Sequence, residues 1–142
     1  MTQQGPAPVE GSHSRATYAG RDLRVRSQAR DTVSLVDDGG PFPDAVERVD
    51  RPGDSYASVP WTSVERLVRR SVHASWRGHR VSLVKVRDDR AGFWYSGDDV
   101  DWAVAEGLDG SVRDGGFGGT APLTDLVDVQ VTDTEQPIPG AR

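Results

Sequence analysis

The chain has 142 residues and a formal net charge of −5 at pH 7. That length suits one domain, or two very small ones that share a core. Cysteine is absent, which excludes disulfides and thiolate metal sites. No apolar run approaches the roughly 18 residues of a membrane-spanning helix, and the first residues lack the apolar region of a secretory signal. We therefore expect a cytoplasmic protein without a membrane partner.

Residues 1–14 are predicted to be a disordered tail, because glycine, proline and glutamine occur there without periodicity. His13 falls in this tail, and no role is expected for it. From residue 15 to residue 71 the pattern predicts a first β unit. Gly20 marks a tight turn in it, where a permissive backbone is needed. Apolar residues alternate with polar ones in three short segments, which predicts three strands: Ala16 and Tyr18, Leu23 and Val25, and Val33 and Leu35.

Two proline-led segments of the first unit predict short helices. Pro43–Val49 is long enough for a turn or two, with proline at a first helical position. Pro60 opens a second helix, in which Trp61, Val64 and Leu67 share one apolar face. Such helices are too short to be stable alone, so they would depend on packing against the sheet.

A second β unit is predicted from residue 72 to residue 132, and its first strand ends at Trp76. Polar residues alternate with apolar ones in that strand, so His73 is expected in solvent, without a role. The segment Val81–Val86 has apolar residues on both faces. This indicates either a strand buried on both sides or a bulge at Leu83–Val84.

The remainder of the second unit combines an aromatic strand, a short helix and a closing strand. Phe93–Tyr95 is the aromatic strand. Asp98 or Asp99 would cap the helix, whose apolar side includes Val104 and which ends near Gly107. A second proline-led turn follows, and the valine-rich segment 127–131 is expected to close the unit as a strand. Residues 133–142 are predicted to be a C-terminal tail.

The two predicted units repeat each other in sequence. Ala16–Arg21 returns as Ala74–His79, with alanine, aromatic and glycine each recurring 58 positions later. Pro60–Leu67 matches Pro122–Val129 at an offset of 62. Self-similarity at a nearly fixed spacing indicates a repeated structural unit. We therefore predict a mainly β fold, with two similar SH3-like antiparallel β units and short helices, packed as one domain or as tandem barrels.

Negative charge is concentrated in two excursions between the strands. From Asp88 to Asp114 there are eight acidic residues and two arginines, and from Asp37 to Asp54 there are six acidic residues and two arginines. A negative surface repels phosphate backbones and favours a cationic partner. The charge pattern therefore argues against nucleic acid as the main ligand.

Catalytic and metal-binding patterns are absent from the sequence. Neither the Gly-x-Ser-x-Gly motif of a serine nucleophile nor the phosphate-binding Gly-x-x-x-x-Gly-Lys motif occurs. A nucleophile also needs a base within reach, and the sequence indicates no such pair. The segment Asp98–Asp101 resembles a calcium loop only in its acidity, because Ala103 and Val104 occupy positions that the loop needs for a ligand and a glycine. We expect no enzymatic activity, no cofactor and no metal.

Several segments resemble a group of small proteins encoded beside secreted polymorphic toxins in GC-rich bacteria. They are Tyr18–Arg21, Val59–Pro60 followed by Val64–Leu67, His73–His79, and Phe93–Gly97. The resemblance covers about residues 16–131 and rests on an aromatic-x-Gly turn, a Val-Pro-x-x-x-Val start and an aromatic strand that ends in glycine. It implies an immunity protein, which binds and blocks one cognate toxin in the cytosol of the producing cell.

The leading hypothesis is therefore an inhibitor that occludes the active site of a toxin with a basic surface. Aromatic anchors and acidic residues of the second unit would form the binding surface: Trp94, Tyr95, Asp98, Asp99, Asp101, Trp102 and Glu106. The alternative is a small module that binds a peptide or single-stranded nucleic acid. Its sheet face would use Trp94 or Tyr95 with Arg80 and Arg87.

Overall fold

Antiparallel strands form most of the chain in a computed structural model that describes residues 9–140. Within that range there are eleven strands, one short α-helix and two 3-10 turns. The strands are β1 His13–Tyr18, β2 Arg21–Gln28, β3 Thr32–Val36, β4 Glu47–Val49, β5 Tyr56–Pro60, β6 Val64–Trp76, β7 His79–Arg87, β8 Arg90–Tyr95, β9 Asp109–Ser111, β10 Gly116–Pro122 and β11 Leu126–Gln136. The helix is α1 Val100–Ala105, and the 3-10 turns are Trp61–Ser63 and Leu123–Asp125. This confirms the mainly β fold.

The chain divides into two compact units. The first unit contains His13–Arg70 and residues 133–140, and the second contains residues 9–12 and Ser71–Thr132. The chain passes from one unit to the other three times: between Ser12 and His13, within β6 and within β11. Each unit has its own cluster of buried apolar side chains.

Both ends of the described chain differ from the predicted tails. His13 and Ser14 begin β1, where they pair with Arg70 and Arg69 of β6. Residues 133–136 complete β11, and Asp133 accepts hydrogen bonds from Arg70 at 2.8 and 2.9 Å. Polar composition predicted tails here, but strand pairing satisfies the backbone whatever the side chains are. Residues 1–8 of the predicted N-terminal tail lie outside the described residues.

The first unit has the strand order β4-β5-β3-β2-β1-β6, with all neighbours antiparallel. β3 and β5 supply its centre, where Val33, Leu35, Ala57 and Val59 have no exposed surface. Trp61 closes one side, and its indole Nε1–H donates to the Ala29 carbonyl at 2.9 Å. The three predicted strands at 16–18, 23–25 and 33–35 are confirmed as parts of β1, β2 and β3.

Both predicted helices of the first unit are wrong or shortened. Pro43–Val49 forms a turn followed by β4, which pairs with β5. The segment after Pro60 makes only one 3-10 turn, and β6 begins at once at Val64. Helical spacing could not decide this, because a segment this short takes its conformation from tertiary pairing, here with β1.

The second unit has the order β6-β7-β8-β10-β9, and β11 also pairs with β6. Register shifts between Leu83 and Lys85, so Val84 is an extra residue opposite β8. The bulge alternative is thereby confirmed, and Val84 is 56% exposed because the bulge turns it out of the core. Strand pairing over β11 confirms the predicted closing strand.

Helix α1 begins and ends where the sequence predicts. Asp99 is its N-cap residue, and Gly107 follows its end with φ of 75°. Ala103 is fully buried on its inner side. Val104 was expected on that side but is 64% exposed, because only one narrow face of so short a helix meets the sheet.

Matching backbone features occur at the spacings found in the sequence. Ala19 and Gly20 have φ of 49° and 76°, and Arg77 and Gly78 have φ of 50° and 82°. Register shifts occur between Val25 and Ser27 and between Leu83 and Lys85. At the two 3-10 turns, the Trp61 N–H donates to the Asp31 carbonyl and the Leu123 N–H to the Asp89 carbonyl.

The two glycine turns generate a stability prediction. A Cβ at Gly20 or Gly78 would meet nothing within 4 Å, so only the positive φ opposes a side chain there. Gly20→Ala and Gly78→Ala should each lower the free energy of unfolding by about 1–2 kcal/mol. Gly92→Ala is the control, because its Cβ would lie in ordinary contact, 3.7 Å from the Lys85 carbonyl oxygen. Urea unfolding measures all three, and equal stability for all of them would contradict the argument.

Candidate functional site

The candidate site is the α1 corner of the second unit, residues 98–106. Helix α1 lies on a cluster of aromatic rings. The Trp102 ring stacks on the His79 ring with centroids 3.6 Å apart, and it meets the rings of Tyr95 and Trp76 edge-on at 4.9 and 5.7 Å. Contacts on three rings fix the orientation of Trp102 and hold the helix against the sheet.

Hydrogen bonds at Asp99 fix the start of the helix. Its carboxylate accepts from the Trp102 N–H at 3.0 Å, and its own N–H donates to the Tyr95 hydroxyl oxygen at 2.9 Å. The second carboxylate oxygen lies 3.3 Å from Nε2 of His79. The Trp102 N–H, and then His79, hold the pKa of Asp99 below its ordinary value. The Asp99 carboxylate therefore stabilises the start of α1 through its hydrogen bonds.

Two acidic side chains of the corner make no polar contact within the described residues. Asp98 and Asp101 are exposed, and among residues 9–140 neither side chain makes a hydrogen bond or an ion pair. Glu106, in contrast, pairs with Arg77. Val104 is exposed one turn beyond Asp101. The corner thus presents free negative charge and an apolar side chain on a rigid support.

The seven predicted site residues do not form one surface. Asp98, Asp99, Asp101, Trp102 and Glu106 lie together at the α1 corner. Tyr95 is 4% exposed and belongs to the core, so it is not available to a partner. Trp94 lies on the opposite face of β8 because successive strand residues alternate between faces. Three adjacent aromatics in the sequence could not show which of them points outward.

Trp94 has an environment of its own on the outer face of the second unit. It lies opposite Ser82 of β7 and Gly118 of β10. A Cβ at Gly116 would lie 2.7 Å from Nε1 of Trp94, and one at Gly118 would lie 3.4 Å from its ring. The indole therefore lies across two glycines, which leave room for it. Sequence analysis missed these glycines, and the Gly115–Gly119 run was their only signal.

Three of the six acidic residues in the excursion of the first unit form ion pairs within that unit. Arg48 donates to Asp37 at 2.9 Å and Arg26 to Asp54 at 2.7 Å, and Arg21 pairs with Asp38. Hydrogen bonds from Ser63 and Tyr18 lower the pKa of Asp44. Hydrogen bonds from arginine likewise lower the pKa of Asp37 and Asp54. This excursion therefore offers a partner less free charge than its composition suggests.

Two histidines differ from the sequence expectations. His13 is only 5% exposed, and Arg15 lies 3.0 Å from its Nε2. His73 is half-buried, and its Nδ1 atom is buried without a hydrogen-bond partner among residues 9–140. Burial, followed by the nearby charge of Arg80, lowers the pKa of His73. Alternation placed His73 on the correct face, but the neighbouring side chains that cover it were not visible in the sequence.

Residues 9–140 contain no group of three or more histidine, aspartate or glutamate side chains placed to hold a metal ion. None of the helices in that range has the length and apolar character needed to cross a membrane.

Comparison with protein-family models, with curated proteins and with solved structures finds no match for this chain.

The His73 environment generates a prediction about pH. A depressed pKa means that the folded state binds fewer protons than the unfolded state. The contribution of the neutral His73 to the free energy of unfolding is therefore complete above the unfolded pKa of about 6.5. It is lost progressively as the pH falls below that value. The urea midpoint should rise between about pH 5 and pH 7, and His73→Val should remove part of that rise. An unchanged pH profile in the variant would contradict the assignment. His79 is retained in both proteins, so the difference between the profiles isolates His73.

Proposed function

We propose that this protein is an immunity-type inhibitor, which binds a cognate protein toxin and covers its basic active-site surface. The observation that carries the proposal is the α1 corner, where Asp98 and Asp101 keep free carboxylates above a rigid aromatic cluster. The Asp99 cap and the ring contacts of Trp102 hold the backbone that carries both residues, so little backbone entropy is lost on binding. The resemblance of residues 16–131 to immunity proteins supports the same function.

The distribution of unpaired acidic residues favours the α1 corner as the surface that binds the toxin. Several acidic residues of the first unit form ion pairs with arginines of the same unit, such as Asp37 with Arg48. The α1 corner instead retains exposed carboxylates beside Val104 and the half-buried Trp102. Acidic groups around an apolar centre suit a cationic protein surface, because they speed association and select the partner. Inhibition would come from occlusion, without any catalytic step by this chain.

We propose further that the two units are diverged copies of one SH3-like unit. Support comes from the paired positive-φ turns at Ala19–Gly20 and Arg77–Gly78 and from the register shifts that follow both of them. The protein would act in the cytosol of the cell that produces the toxin.

A second candidate function is binding of single-stranded nucleic acid on the outer face of the second unit. The half-buried Trp94 ring, which lies across Gly116 and Gly118, favours it, because the open part of an indole face can stack on a base. Net charge argues against it. A salt-sensitive gel shift with a single-stranded oligonucleotide, abolished by Trp94→Ala and retained by Trp94→Phe, would favour this function over inhibition.

Reversal of the two free carboxylates tests the inhibitor proposal. The test needs a partner, and the one to use is the C-terminal domain of a large secreted protein if one is encoded next to the gene of this chain. Asp98→Lys with Asp101→Lys should weaken its binding at least about tenfold, mainly through slower association. Fold should be unaffected, because neither side chain is bonded within the described chain. Asp99 is left intact because it caps the helix, and Glu106 is left intact because it pairs with Arg77. Calorimetric titration gives the affinity, and survival on co-expression gives protection.

The matched control is Asp31→Lys with Asp125→Lys, which makes the same charge change at two exposed positions away from the corner. It should bind like the parent chain. Equal binding by parent and corner variant would reject the acidic surface while leaving inhibition intact. Failure of the parent chain to bind the domain or to protect the host would reject the proposed function itself.

A further inference from the structure

A groove of about 370 Å³ lies on the outer face of the second unit, where β7, β8 and β10 run side by side. Gly92 belongs to the middle strand, with Lys85 of β7 opposite it on one side and Thr120 of β10 opposite it on the other. Because glycine has no side chain, backbone alone forms the floor of the groove at this point. The Lys85 ammonium and the Thr120 hydroxyl therefore flank an open space as hydrogen-bond donors.

Two arginines lie directly opposite each other along the same groove. Arg87 of β7 pairs with Arg90 of β8 in the strand register, and both side chains are exposed. Like charges at directly opposite positions destabilise a pair of strands. Arg90 donates to the Thr120 hydroxyl oxygen at 3.3 Å, which is an uncharged partner. Among residues 9–140, no acid forms an ion pair with either arginine, so their mutual repulsion is not offset there.

Two carboxylates also line the groove without neutralising it. Asp88 and Asp89 form the turn between the two arginines. Within the described chain, neither of them forms an ion pair with Lys85, Arg87 or Arg90. Three cations and two carboxylates give the lining a formal charge of +1, whereas the whole chain has a charge of −5. Charged donors and a hydroxyl around one open space suit an anion with several oxygens.

Trp94 extends this face beyond the groove. It follows Gly92 by two residues on β8, so its side chain leaves the same face of the sheet roughly 7 Å further along. The half-buried indole lies across Gly116 and Gly118, and the open part of its face can stack on a base. A phosphate group in the groove and a base on Trp94 would be two parts of one nucleotide.

We propose that this groove, which we call the phosphate groove, binds the phosphate group of a nucleotide, either free or within a single strand. Arginine presents paired N–H donors that match phosphate oxygens, and lysine adds a point charge. A bound phosphate would also offset the repulsion between Arg87 and Arg90. The inference does not rest on the proposed inhibition, because no residue of the α1 corner lines the groove.

Calorimetric titration at constant ionic strength tests the phosphate groove with inorganic pyrophosphate, which has no base. The parent chain should bind it, and Arg87→Gln with Arg90→Gln should weaken binding at least about tenfold. Arg24→Gln with Arg69→Gln is the matched control, because it removes two exposed arginines of the first unit that form no ion pair within the described chain. The control should bind like the parent chain. An equal loss in both variants would indicate diffuse attraction and overturn the proposal.

A variant that keeps every charge separates a shaped site from diffuse attraction. Gly92→Val places a side chain on the floor of the groove, and its Cβ would lie in ordinary contact, 3.7 Å from the Lys85 carbonyl oxygen. Valine suits a strand, so the fold should be retained, which urea unfolding checks. Pyrophosphate binding should fall at least about tenfold. A folded Gly92→Val protein that binds like the parent chain would overturn the proposal, as would a parent chain that does not bind pyrophosphate.

Two further ligands distinguish the sources of the phosphate. Adenosine monophosphate represents a free nucleotide, and an oligothymidylate of about ten nucleotides represents a single strand. Trp94→Ala should weaken binding of whichever ligand is bound and leave pyrophosphate binding unchanged, because pyrophosphate has no base to stack. Tighter binding of the oligothymidylate assigns the groove to single strands, and tighter binding of the monophosphate assigns it to free nucleotides. Binding of pyrophosphate but of neither nucleotide ligand would reject the nucleotide as the occupant.

Discussion

Each unit depends on a hairpin that ends in a buried aromatic residue and turns through two residues of positive φ. Tyr18 precedes the turn in the first unit and stacks on Phe42 with ring centroids 5.3 Å apart. Trp76 precedes it in the second and packs on Phe93 at 4.8 Å. A turn of this kind matches the natural twist of the strands, so it sets the register that places the alternating apolar residues of the hairpin on the inner face. Shifting that register by one residue would expose both aromatics.

Charge is used differently in the two units. In the first unit several acidic residues bond to neighbouring arginines and hydroxyl groups, and these bonds lower the pKa values of Asp37, Asp44 and Asp54. Exposed ion pairs of this kind add little stability each, so their main effect is to hold the loops in one conformation. In the second unit, only part of the charge is used in this way. The carboxylates of Asp98 and Asp101 stay exposed and unpaired, and the start of α1 fixes the backbone that carries them.

Two buried polar atoms of the second unit lack hydrogen-bond partners and reduce its stability. The indole Nε1 of Trp76 and Nδ1 of His73 are both buried without hydrogen-bond partners among the described residues. An unsatisfied buried donor or acceptor is destabilising. Trp76 keeps its position because its ring contacts Phe93 and Trp102. Apolar packing thus outweighs an unmade hydrogen bond at the centre of the second unit, next to the corner that carries the candidate site.

Period-two alternation and the turn residues were sufficient to predict the mainly β fold and the strands of the first hairpin. They also gave the bulge at Val84 as one of two alternatives and the helix cap as either Asp98 or Asp99. These features follow from local rules, since side-chain direction and turn dihedrals depend on residues close in sequence. Pairing between distant segments decided the rest. It made β4 and β6 where short helices were predicted, extended β11 to Gln136, and placed Tyr95 rather than Trp94 in the core. It also determined which acidic residues meet an arginine, because salt bridges such as Arg26 with Asp54 join residues that only the fold brings together.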